Sequence, residues 1–514
     1  MPATTHATPP LPGLSPVLGR PIIARFDGGS LSSDGGLLAL REVEERLGVA
    51  RRLAACIDDP RAPERIQHSL AGMLRFRLLM IAAGYEDGND ADSLRHDPLF
   101  KLASGRLPEQ AALCSQPTLS RLENTPGPRA LIRMARAMVA LYCASFRQVP
   151  RRITLDIDDT FDAVHGGQQL RLFNACYDEY GFQPIVVFDA DGRPVAAMLR
   201  PAKRPTGAEA RAFLRRLVRE IRAHWPRVEI LIRADSHYCA PEVLDFCRAA
   251  RIDFLLGVAA TATTTLRRHV AALEASTARR HAEGVPAARH AGAPGGEKLR
   301  RYKEFHDGAA SWSRVERIIA RVEAGPQGTD TRFVVTNLAA GSARTICEDL
   351  YCRRGQAENH IKAWKRHLAA DRTSCCRGPA NQFRLMLHTG AYWLPWSLRS
   401  LMPRRSAWRV AQFDTLRLRL VKLATRVVAL KTRVMLHLPS ACPDQAILRH
   451  ALDRLPRLTC RATGRMPRSS PTQRNPSAPR YAPTSRLQSR RGSSATVSPL
   501  QGRMPAVRAI GPPS

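Results

Sequence analysis

The order of β-rich and amphipathic runs between Arg151 and Ala259 narrows the folds open to this chain more than any other feature. "RRITLDIDDT" is a β-rich run entered by two arginines, and "QLRLFNACYD" and "QPIVVFDADGRPVAAMLR" come after it, with a tight turn at "ADG". A long amphipathic helix, "GAEARAFLRRLVREIRAHW", comes next. Then "RVEILIRADS" reads as a strand, "APEVLDFCRAAR" as a helix and "IDFLLGVA" as a strand. The order is three strands, helix, strand, helix, strand. An antiparallel meander leading into βαβ units predicts an α/β domain with a mixed sheet covered by helices.

The flanks differ in texture. Residues 1–25 are Pro/Thr-rich and read as a flexible N-terminus. Residues 26–150 read as a helical region, with apolar residues at helical spacing in "SSDGGLLALREVEERLG" and "QHSLAGMLRFRLLMIAAGY". "SQPTLSRLEN" reads there as an ordinary capped helix with Thr118 near the cap, the alternative being the start of a DNA-reading helix. After residues 151–259 comes a β-rich insertion over 260–340. Its "STARRHAEGVPAARHAGAPGGEK" reads as exposed and flexible, and "SWSRVERIIARVEAG" and "TRFVVTNL" as strands. A helix is expected over 341–370. A helical region over 371–455 includes "NQFRLMLHTGAYWLPWSLRSLM" and the basic "FDTLRLRLVKLATRVVALKT", with the apolar run "RVMLHLP" after them. Residues 456–514 read as a disordered basic tail, rich in Pro and Ser.

Charge names a class of partner. Lys+Arg total 79 against 45 for Asp+Glu, a net +34. Residues 461–514 hold ten arginines and no acid, so +24 remains on the rest. A field of that sign favours polyanions, nucleic acid above all, although ribosome or membrane-surface binding would carry the same sign. With 44% hydrophobic residues the chain can bury a sizeable core. The 12 cysteines include no CxxC pair and no zinc-like spacing, which suits reduced thiols in a cytosolic protein. "MPATTHATPPLPGLSPVLGR" lacks the apolar centre of a signal peptide, and no apolar run reaches the ~18 residues of a membrane span. The expectation is a soluble, cytoplasmic protein with no membrane partner.

Two carboxylates fall at strand ends. In "ITLDID" alternation places Thr154, Asp156 and Asp158 on one side, and carboxylates two apart on an interior strand are costly without a cation or donors. Asp235 ends "VEILIRAD", and strand ends of α/β sheets are where ligands are met. Each has a plainer reading. Asp156 or Asp159 can cap a turn or pair with Arg151 or Arg152, and Asp235 can cap the next turn of the chain. A third acid, Glu358, sits among cations in "YCRRGQAENHIKAWKRHL", where surface pairs with Arg354 or Lys362 are the ordinary outcome. The spacing around it weighs the other way. At ~100° per residue, Tyr351, Arg354, Glu358 and Lys365 fall within an arc of about 60°. That face offers a carboxylate for a metal, two cations for phosphate oxygens and an aromatic ring.

Tyr351-x2-Arg354-x3-Glu358-x6-Lys365 resembles the Y-(2)-R-(3)-E-(6)-K signature of DDE transposases from bacterial insertion sequences. "LSSDGGLLALRE", "ITLDIDDT", "LIRADSHY", "RFVVTNL" and "YCRRGQAENHIK" are most similar to the group numbered thirteen-eighty, over about Phe26 to Pro439. The resemblance implies an RNase H-like mixed sheet flanked by helices and interrupted by the β-rich insertion. It also implies DNA cleavage and strand transfer, with Asp158, Asp235 and Glu358 as the catalytic acids. They would hold two Mg²⁺ ions, for which Mn²⁺ can substitute. Tyr351, Arg354 and Lys365 would contact phosphates of the transposon end, with Asp156 and His237 as auxiliary candidates and His360 near the third acid. The implied partners are double-stranded DNA, both terminal inverted repeats and target, and a second copy of the chain in a homodimer on DNA. The location would be the bacterial cytoplasm and nucleoid, with residues 26–150 binding the DNA ends and 371–455 contacting DNA or dimerising. An RNase H-like nuclease or resolvase without strand transfer, or a decayed transposase that only binds DNA, are the alternatives.

Overall fold

In the computed structural model the described residues are 9–259, 265–290 and 298–458. The expectation of a disordered tail falls, from residue 459 on, outside them. The chain first folds as helices: α1 (Leu37–Leu47), α2 (Leu70–Ala83) and α3 (Pro128–Ala144). Gly48 closes α1 at φ 63°, a left-handed conformation that glycine adopts without a Cβ penalty. Ser69 caps α2 by accepting from the Gly72 amide. The helix over Gln116–Asn124 buries Leu119, Leu122 and Glu123, and its Ser115 cap makes no side-chain bond to the backbone.

Eight strands then form one sheet. They are β1 (Arg152–Asp159), β2 (Ile185–Asp189), β3 (Pro194–Met198), β4 (Glu229–Ala234), β5 (Asp253–Gly257), β6 (Leu299–Asp307), β7 (Glu316–Gly325) and β8 (Gly328–Thr336). Their spatial order is β6-β7-β8-β5-β4-β1-β2-β3. β1, β2 and β3 are antiparallel neighbours, whereas β4 and β5 run parallel to β1. The parallel connections use α4 (Gly207–His224) and α5 (Pro241–Ala249), as right-handed crossovers require a covering element. A capping box between Thr206 and Glu209 starts α4. The later strands pair outward from β5 through β8, so they lengthen the same sheet.

Four local expectations need correction. "QLRLFNACYD" does not join the main sheet. Leu172–Asn174 pairs with Glu179–Phe182 in a small separate sheet, and the third meander strand is β3, beyond the "ADG" turn. The stretch expected to be flexible begins inside a helix, α6 (Ala271–His290), whose Thr277 is fully buried. Polar composition concealed its contact with β6 and β7. The basic helix expected over Phe413–Thr432 ends by Val421, and Thr425–Ala429 is a strand between Leu31–Ser32 and Val434–His437. β-branched Thr425, Val427 and Val428 favour that outcome once a partner edge exists. The helix expected over 341–370 is not continuous. Wide π turns at Thr345–Tyr351 and Ala363–His367 flank α7 (Gly355–Lys362).

The core joins both parts through α8 (Gly378–Ser400), which packs on α1, α2, α3 and β3. It is buried nearly all round, as a helix with apolar residues on every face must be. The last described helix is α9 (Gln445–Arg454). No helix among the described residues is long and apolar enough to cross a membrane.

Candidate active site

Strand register assembles the first part of the site. β1 and β4 run parallel with Asp156 opposite Arg233 and Ile157 opposite Ala234, so the next step sets Asp158 beside Asp235. The register of β4 on β5, where Ala234 faces Leu256, likewise brings Gly257 alongside Asp235. Two carboxylates therefore meet at the C-terminal ends of adjacent parallel strands, where the pleat stops and side chains are free to converge.

The two aspartates of "LDID" have different fates. Asp156 is 2% exposed and accepts from Nε and Nη2 of Arg233, at 2.6 and 2.7 Å. Arg233 also donates to the Leu350 carbonyl at 2.6 Å, so this ion pair ties β1 and β4 to the helical turn at Leu350. Asp158 lies at the rim, accepting from Arg354 Nη2 at 3.0 Å and from the Asp159 amide at 3.0 Å. Burial raises the Asp158 carboxyl to about 6; Arg354 opposes the rise, and the charges of Asp159 and Asp235 add to it. Arg354 keeps its charge: burial works against it, but Asp158, Tyr351, Asp235 and Asp156 together raise its pKa.

Tyr351 closes the other side. Burial pushes its hydroxyl up to about 12, and a Cβ built on Gly257 would lie 2.7 Å from Tyr351 Oη and 3.2 Å from the Ser236 amide. The missing side chain at Gly257 is thus what admits the tyrosine to the Asp235 loop. Asp235 itself accepts from the Ser236 amide at 2.8 Å.

The remaining residues divide. Lys365 turns inward. Its Nζ lies 2.9 Å from Asp162, donates to Thr160 Oγ1 at 3.2 Å, and reaches the Phe161 carbonyl, so it clamps the turn after β1. Glu358 is exposed on α7, while Ala357 and Ile361 pack that helix against the sheet at β1 and β2. His237 Nε2 stands 3.4 Å from Asp159, whose other oxygen accepts from Gln183 at 2.8 Å. His360 is packed on Phe188, and burial, reinforced by the Arg399 charge, lowers its pKa to about 4.

The structure therefore brings together Asp158, Asp235, Arg354 and Tyr351, with Asp156 and His237 in supporting contacts. It does not bring Glu358 to them. Among the described residues no three His, Cys, Asp or Glu side chains are gathered closely enough to hold a metal ion. The donor set fits a hard divalent cation in part: two adjacent carboxylates, one raised by burial and its neighbours' charge, are a place where such a cation relieves repulsion. The ideal-helix arc loses its meaning across the π turns, which is why Lys365 and Glu358 diverge. Sequence reasoning missed Arg233, Gly257 and Asp162. An arginine inside the buried run "EILIRA" was the available signal for the first; nothing marked the other two.

A family model described as "Transposase DDE domain group 1" matches residues 14–460. No curated protein matches the chain. Among solved structures, the cryo-EM structure of the piggyBac transposase synaptic complex with hairpin DNA superposes with a TM-score of 0.38 and 11% identity, over 76% of this chain and 80% of that one. A superposition that loose bears on neither the site nor the chemistry.

Proposed function

The chain belongs to the transposase DDE domain family, group 1, and from that premise we propose that it cuts the ends of an insertion sequence and joins them to target DNA. The observation that carries the reading is the pair Asp158 and Asp235 at neighbouring strand ends, with Arg354 bonded to the first. The strand order β3-β2-β1-β4-β5, antiparallel then parallel, supports an RNase H-like core for this site. The match of the sequence signature to the group numbered thirteen-eighty supports an element of that kind.

Asp158, Asp235 and Glu358 are the residues that would hold divalent cations, Mg²⁺ or Mn²⁺. When bound, the ions would supply charge neutralisation and activation of the attacking oxygen for in-line displacement at phosphorus. The rest falls to the chain's own groups. Arg354 bonds Asp158 and would turn its guanidinium to a scissile phosphate once that carboxylate is engaged otherwise. Tyr351 faces the same loop through the gap at Gly257. Lys365 holds the Thr160–Asp162 turn, which fixes the exit of β1 and so the direction of Asp158. Glu358 completes the set by an adjustment of α7 on DNA. Joining two ends to one target requires two copies of the chain.

The test incubates purified protein with labelled element ends, target plasmid and Mg²⁺, beside Asp158→Ala, Asp235→Ala and Glu358→Ala. Joined products from the wild type and a loss of at least about a hundredfold in each variant are expected, since each removes a charge-bearing ligand. Nicking without joining would instead assign the chain to nucleases or resolvases.

A further inference from the structure

A cleft of about 570 Å³ lies outside the carboxylate site, between the residues after α3, the β2–β3 turn, the end of α8 and the end of α9. Seven arginines line it against one carboxylate, Asp191. Among the described residues, only Arg193 of the seven pairs with carboxylates, Asp189 at 2.8 Å and Asp191 at 2.7 Å. Arg193 is also held between the rings of Phe146 and Trp396, at 4.3 and 4.9 Å. The fully buried arginines of the fold have acids: Arg77 has Glu123, Arg200 has Glu209 and Arg233 has Asp156. Here the other six arginines line one cleft, and among the described residues none of them has a carboxylate at ion-pair distance. Arg147, Arg399 and Arg409 donate to the carbonyls of Arg457, Ala411 and Arg399, and Arg399 also lies over the Phe413 ring at 4.8 Å; a guanidinium has five N–H donors, so others remain for a ligand.

Arginines gathered in one cleft without acids repel one another and suit phosphate oxygens. Six charges spread over several elements exceed what a single phosphate group needs. Exposed Arg147, Arg404, Arg409 and Arg457 also carry the charge out of the cleft along its rim. The β2–β3 turn, which supplies Asp191 and Arg193, packs at Gly192 against the ring of His360, two residues beyond Glu358 on α7.

We propose that this cleft is an accessory docking site for the sugar–phosphate backbone of duplex DNA, gripping the substrate away from the bond that is cut. The inference rests on the reading of the chain as a DNA-processing protein but not on strand transfer. Phosphate oxyanions could also come from a free nucleotide or polyphosphate, and the experiment separates the two sources.

The affinity of the full chain for a short duplex of arbitrary sequence is measured across a salt series, for wild type and for Arg404→Gln/Arg409→Gln/Arg454→Gln. Each phosphate contact contributes about 0.9 to the slope of log affinity against log salt. The triple variant should therefore bind at least about tenfold more weakly at physiological salt, with a slope shallower by about 2 to 3. Equal affinity and equal slope would overturn the proposal. Inorganic tripolyphosphate is titrated in parallel. If it raises the melting temperature of wild type but not of the variant, while the DNA slope stays unchanged, the cleft takes a small phosphate ligand and the DNA assignment falls. Should the triple variant melt early, single Arg404→Gln, an exposed side chain, gives the same reading at about one unit of slope. End joining by the wild type, scored separately, tests the enzymatic reading.

Discussion

At Asp158, burial and two neighbouring carboxylates act on one carboxyl group against the pull of Arg354, and the balance holds it at about 6. The folded state therefore keeps this proton more tightly than the unfolded chain does. The stability it contributes is complete below about 3.8 and is lost as pH rises through about 6. With no divalent cation added, the melting temperature of wild type relative to Asp158→Asn should fall across that window, by the equivalent of on the order of 2 kcal/mol. A difference that stays flat with pH would remove the electrostatic account of this carboxylate. Gly257 gives a second check at this scale. Gly257→Ala should cost about 1–3 kcal/mol in urea unfolding because the new methyl meets Tyr351 Oη. In a Tyr351→Phe background part of that cost should disappear; an unchanged cost would mean the tyrosine is not what the glycine admits. Strand alternation and strand ends are local pattern, so carboxylates at Asp156, Asp158 and Asp235 were legible in the sequence, but the choice of Asp158 over Asp156 rested on the family resemblance alone. Gly257 was not legible, since its role depends on Tyr351, far along the chain.

At the scale of elements, the Asp156–Arg233 pair is the joint between β1, β4 and the chain at Leu350. Asp156→Ala leaves a buried guanidinium without its counter-charge and should destabilise the fold by about 3–5 kcal/mol. Adding Arg233→Met should recover more than half of that loss, as measured by denaturant unfolding of the double-mutant cycle. If the second substitution instead deepens the loss, the pair is not the coupled unit described. The long helix 207–224 and the alternation of β4, α5 and β5 were readable because their periodicity is strong and local. What failed was set by distant partners: Thr425–Ala429 turned from helix to strand on meeting Leu31–Ser32, and the helix around Glu358 was broken by π turns. Those turns send Lys365 inward to Asp162 and leave Glu358 exposed.

For the whole molecule, charge is the dominant fact. The chain carries +34, and +24 of it lies before residue 461. Affinity for duplex DNA should fall roughly a thousandfold or more between about 50 and about 200 mM salt, as binding through several phosphates requires. A nearly salt-independent affinity, read by fluorescence anisotropy, would contradict DNA as the partner. The central claim is that Asp158, Asp235 and Glu358, carried on three separate elements, act together as cation ligands during end joining. The most direct measurement replaces each by cysteine and assays joining with Mg²⁺ and then with Mn²⁺, since a thiolate is a poor ligand for the first and a better one for the second. The account predicts that Asp158→Cys, Asp235→Cys and Glu358→Cys fail with Mg²⁺ and regain activity with Mn²⁺. Joining at the wild-type level by any of the three in Mg²⁺, or no recovery in Mn²⁺, would contradict it.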